Sequence, residues 1–147
     1  MKIWGLFYMK NYLINNFEAI AMSLFIILII IMILLIFMSY VINEDNYKKI
    51  SYLYEKKFGN LPFTARIVKS ANLIGTPGVY LAKVDFIMSS LLLPYNRVFN
   101  YGMSIEEYFF IRTLPSKLTI GFKIEAMLWV VEIIVLACFI LLNIFFY

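Results

Sequence analysis

The chain has 147 residues, 63% of them hydrophobic and 15% charged, with a net charge of +4 and a mean hydropathy of +0.86. Soluble globular chains run at about 45–50% apolar and about 25% charged, and disordered chains need low hydrophobicity, so both classes are excluded. Zero histidines and a single cysteine exclude zinc sites, disulfide scaffolds and the commonest acid–base chemistry.

In chain order, residues 1–18 come first, with Trp4, Phe7, Tyr8, Tyr12 and Phe17 beside Lys2 and Lys10. Aromatic rings mixed with lysine suit a membrane–water interface, so this segment is expected to lie on an outer face. Residues 19–42 follow without one charge, and sixteen of these 24 are Leu, Ile, Phe or Val. At −0.3 to −0.6 kcal/mol each, insertion is favoured by about 5–10 kcal/mol. A hydrocarbon core ~30 Å thick needs ~20 helical residues, so the run is long enough to span. Its length, and an end at Met38-Ser39-Tyr40-Val41-Ile42 with no cleavage pattern, predict an uncleaved anchor rather than a signal peptide.

Residues 43–125 form a middle region of 83 residues with eleven basic and seven acidic side chains. Tyr47, Ile50, Tyr54 and Phe58 recur at helical spacing, with lysines elsewhere around the helix. Glu44–Lys48 and Asp45–Lys49 add favourable i,i+4 pairs, and Gly59-Asn60-Leu61-Pro62 stops the helix. This helix packs on the rest of the region or lies on the membrane surface. A second helix is expected over Phe63–Leu73, and Gly75-Thr76-Pro77-Gly78 reads as a turn. Val79–Leu93 is too short to span as a helix, so a buried, interfacial or re-entrant segment is expected, with a buried or interfacial helix favoured and a strand open for part of it. Ser104-Ile105-Glu106-Glu107 has the form of a capping box, and the helix it opens ends at Leu114-Pro115. The last helix is expected to run from about Ser116 into the final apolar run, with Gly121 weakening it by up to ~1 kcal/mol relative to alanine.

Residues 126–147 are that final run. Fourteen Leu, Ile, Val or Phe residues favour insertion by about 4–8 kcal/mol. Glu132 subtracts about 2.5–3.5 kcal/mol, so a second span still results. The fold class expected is therefore an all-α integral membrane protein, two transmembrane helices flanking a helical region. The eleven basic residues of the middle lead to the expectation that it is cytoplasmic, with both termini outside.

Glu132 is the sharpest anomaly. At 100° per residue, Glu125 and Asn143 each fall 20° from it, so the three share a face and are the candidate intramembrane contact. No basic residue lies one turn from Glu132 on its own helix. A carboxylate at that depth is neutral or snorkels to the interface, or else faces a partner subunit, a water-filled cavity or a bound cation. Cys138 lies on another face and reads as a small apolar residue, too deep for palmitoylation. Asp85, Glu106 and Glu107 come with no histidine and no nucleophile motif, so no catalytic site, cofactor or metal is expected. The basic residues form no dense stripe, so the partners expected are the lipid bilayer and a protein or second copy, and no nucleic acid.

The stretch Glu107, Phe110, Arg112 and Leu114-Pro115, followed by a helix into the membrane, resembles the universal stress protein B family of bacterial membrane proteins. The resemblance covers about a quarter of the chain, which departs from the family in its longer N-terminus and lack of histidine. It implies a non-enzymatic, stress-linked membrane protein with one span at each end. Two other roles suit the same layout: an immunity protein against a membrane-targeting or pore-forming toxin, and an accessory subunit of a membrane complex. A proton or ion path through an oligomer around Glu132 is a further possibility.

Overall fold

The computed structural model describes residues 14–146. Most of the aromatic N-terminal segment, with Trp4, Phe7, Tyr8 and Tyr12, lies outside the described residues, as does Tyr147. Among the described residues every regular element is helical: α1 (Phe17–Phe37), a π-helical turn (Met38–Asn43), α2 (Glu44–Phe58), α3 (Phe63–Ile67), α4 (Pro77–Leu92), α5 (Ile105–Thr113) and α6 (Ser116–Phe146). Among the described residues two helical stretches are long and apolar enough to cross a membrane: the unbroken run Phe17–Phe58 and the last helix.

The chain divides into two compact units. One comprises residues 14–34 with 128–146, the described parts of the two apolar helices. Their side chains are mostly exposed, Ile30, Ile33, Val130 and Ile133 among them. Within this unit the Phe25 and Phe139 rings meet at 6.4 Å, a tilted aromatic pair.

The other unit, residues 35–127, has a packed core. The expected stripe on α2 is its spine: Tyr47, Ile50 and Tyr54 are buried. Tyr54 meets the rings of Phe58, Phe86 and Phe110 at 4.9, 5.5 and 6.1 Å. Gly59 ends α2 at φ +87°, the left-handed conformation that glycine adopts freely, and its N–H returns to the Glu55 carbonyl.

α3 is shorter than expected, ending at Ile67 rather than Leu73. Two polar contacts take the following backbone out of the helix. The Asn72 side chain accepts the Gly75 N–H at 2.6 Å, and the Ala71 carbonyl accepts from Lys83 at 3.1 Å. α4 is a helix with many buried residues, which closes the alternative of a strand for Val79–Leu93. Pro77 stands in its first turn, and Tyr80, Val84, Phe86, Ile87, Met88 and Leu91 are all buried. Ser89 and Ser90 return their hydroxyls to carbonyls four residues back, and buried Asn100 donates to both, pinning the loop before α5. The capping box forms as expected: Ser104 accepts the Glu107 N–H, and Glu107 accepts the Ser104 N–H at 2.5 Å.

Candidate functional site: a buried polar seam

The apolar helix does not simply continue into α2. Its last turn, Met38–Asn43, widens to π geometry, with Met38, Ser39 and Asn43 buried. Such wide turns are rare and recur at functional sites. Asn43 donates from Nδ2 to Glu125 Oε2 at 2.5 Å, and both residues are essentially inaccessible, at 1% and 0% exposure. Gly121, one turn before Glu125 on α6, makes this approach possible. A Cβ there would stand 2.1 Å from Asn43 Oδ1 and 2.9 Å from Ile42 Cγ2.

α4 closes the seam from another side. Burial, reinforced by the Glu125 charge, raises the Tyr80 phenol above its ordinary range, while a hydrogen bond with Ser39 partly offsets this. One turn further along α4, Lys83 is 3% exposed. Its ammonium donates to Glu44 Oε2 at 3.3 Å and to the Ala71 carbonyl at 3.1 Å, and sits 4.5 Å from the Tyr47 ring centre. The Lys83–Glu44 ion pair is half-wet, since Glu44 keeps 39% of its side-chain surface exposed. The row Ser39, Asn43, Glu44, Tyr80, Lys83, Gly121, Glu125 thus joins three helices through hydrogen-bonded polar groups. Arrangements of this kind hold register, because sliding a helix would strand a buried polar group.

The three residues marked out in the sequence have separate surroundings. Glu125 belongs to the packed unit, while Glu132 and Asn143 belong to the unit of apolar helices. A shared face did not mean a shared contact: seven residues of helix advance about 10 Å, and eleven about 16 Å. Asn143 returns its amide to the Phe139 carbonyl at 2.7 Å. Glu132 is 8% exposed, and its Oε2 atom has no hydrogen-bond partner among the described residues. Cys138 is exposed on α6, and Glu107 is taken up by the capping box.

Sequence reasoning left Asn43 at a boundary, weighed Gly121 only as a helix-weakening residue, and did not single out Tyr80. The available signals were spacings: Ser39 and Asn43 four apart, Gly121 and Glu125 four apart. Only the crossing of the helices shows that the two pairs meet.

The seam has a titration consequence. A phenol whose folded pKa lies above its unfolded value of about 10 leaves stability unaffected below that pH. Above it, the unfolded chain releases the proton first, so stability falls as pH rises. Tyr47 and Tyr54 are raised too, each chiefly by burial. Comparing Tyr80→Phe with the parent between pH 9.5 and 11.5 isolates one phenol. The parent is expected to lose about 1.4 kcal/mol per pH unit more than the variant. Parallel curves would show that the Tyr80 phenol is not held neutral.

No protein-family model, no curated protein and no solved structure matches the chain.

Proposed function

We propose that this chain is a two-span protein of the bacterial inner membrane, its middle region cytoplasmic, acting without chemistry of its own through membrane and protein contacts. The observation that carries the contact role is Glu132. Its neighbours Val131, Ile133, Ile134 and Leu136 are all exposed apolar residues, suited to lipid or to another helix. Glu132 itself is 8% exposed, and one of its carboxylate oxygens has no hydrogen-bond partner among the described residues. An acidic residue in a span works against insertion, and a donor from a partner helix would offset that cost. The layout supports the same reading: the strongest polar groups of the packed unit are occupied in joining its own helices.

Stress-linked action of the universal stress protein B type, protection against a toxin, and membership of a larger complex are all contact functions. Affinity purification of the tagged full chain from native membranes tests the proposal and separates these roles by what is recovered. A partner chain, or a second copy, is expected in stoichiometric amount. Glu132→Leu should abolish its recovery, and Glu132→Gln, which keeps hydrogen-bonding capacity, should preserve it. A single copy alone from the parent, or equal recovery with Glu132→Leu, would overturn the role given to Glu132.

A further inference from the structure

A polar groove of about 340 Å3 runs along α2, lined by Glu44, Tyr47, Lys48, Ser51, Tyr52, Glu55, Lys69 and Lys83. We infer that it is a binding site for one phosphodiester monoanion, supplied by the headgroup of an anionic glycerophospholipid. This inference rests on the two-span reading and adds to it a ligand and a site.

Charge comes first. Three lysines and two glutamates line the groove, and Asp45 also pairs with Lys48, so the ligand would displace a carboxylate rather than meet a spare charge. Lys83 is the fixed one, buried and held by Glu44 and the Ala71 carbonyl. Lys48 and Lys69 are free to turn. Lys48 stands 3.6 Å from Glu44 and 3.5 Å from Asp45, and Lys69 stands 3.0 Å from Glu55, with both lysine side chains more than half exposed. Exposed pairs of this kind are weak, so a phosphate in the groove competes with the carboxylates for either ammonium group. Tyr47 and Ser51 are buried in the groove wall.

Depth comes second. The groove begins at Glu44, where the apolar helix ends, and Lys48 lies five residues, about 7.5 Å, beyond Asn43 on the same helix. The headgroup layer extends about 5–8 Å past the hydrocarbon core on each side, so the groove opens where lipid phosphates reside. Tyr52, an exposed ring on its rim, is of the type that settles at this level.

The test is native mass spectrometry of the detergent-solubilised full chain, titrated with phosphatidylglycerol or with soluble glycerophosphate. The parent should retain one phosphatidylglycerol. The exposed-lysine variant Lys48→Ala/Lys69→Ala should bind it about tenfold to thirtyfold more weakly. Lys117→Ala/Arg97→Ala, which removes two exposed positive charges elsewhere, should bind like the parent. Binding of soluble glycerophosphate with the same lysine dependence would show that the groove takes the phosphate group from either source. Equal phosphatidylglycerol retention by all three proteins would overturn the site. Resistance of the same proteins to alkaline extraction from membranes reports the two-span reading separately.

Discussion

Gly121→Ala is expected to destabilise the packed unit by about 1–3 kcal/mol, although alanine is the better helix former. Two opposing effects set the sign. Removing glycine from a helix interior is worth about 1 kcal/mol in favour of the variant. Against it, the new Cβ would lie 2.1 Å from Asn43 Oδ1 and 2.9 Å from the Ile42 side chain. A flexible side chain would swing away cheaply. Asn43 cannot, because its Nδ2 is held by Glu125 in a site closed to water. Relieving the clash therefore breaks a hydrogen bond to a buried carboxylate, worth about 1.5–3 kcal/mol, or pushes two packed helices apart. Thermal unfolding in mild detergent measures the outcome. A melting temperature at or above the parent's would show that the seam yields readily and that Gly121 is not needed for the approach.

The second large effect concerns the pair itself. Asn43→Ala is expected to cost about 2–4 kcal/mol, from the lost amide donor and the space left beside Gly121. Glu125→Gln should cost less, since the glutamine carbonyl still accepts from Asn43. Glu125→Leu should cost about as much as Asn43→Ala, because it strands the amide instead of the carboxylate. The double variant Asn43→Ala/Glu125→Leu should then be more stable than the sum of the single losses implies, by about 1–3 kcal/mol. Full additivity would mean that the 2.5 Å contact contributes no coupling and that the seam is held by its surroundings alone. The cycle also separates specificity from stability. If the double variant melts near the parent but loses its partner in membranes, the polar pair sets helix register.

These expectations show where local chemistry ends and packing begins. Tyr47, Ile50 and Tyr54 announce their buried face by spacing alone, because a helix returns to the same side every 3.6 residues. The Ser104 capping box and the Gly59 stop are equally local, and both form as the residues dictate. α3 is where local reasoning overran. Nothing between Phe63 and Leu73 forbids a longer helix, but Asn72 and the Ala71 carbonyl are claimed by Gly75 and by Lys83, twelve residues beyond Ala71. Glu125 shows the same division. Its place on a face with Glu132 and Asn143 follows from periodicity, yet its amide donor comes from Asn43, 82 residues away.

By itself the sequence determined the all-helical class, the two long apolar helices and the helix between Ser104 and Leu114, because hydrophobic content, capping and turn chemistry act over a few residues. Only the tertiary structure decided that Asn43 meets Glu125 over Gly121, that Lys83 is buried between Glu44 and Ala71, and that a charged groove opens beside the end of the first apolar helix. Those contacts depend on how helices cross, and crossing is set by the summed packing of side chains distant in sequence, which no single stretch of residues encodes.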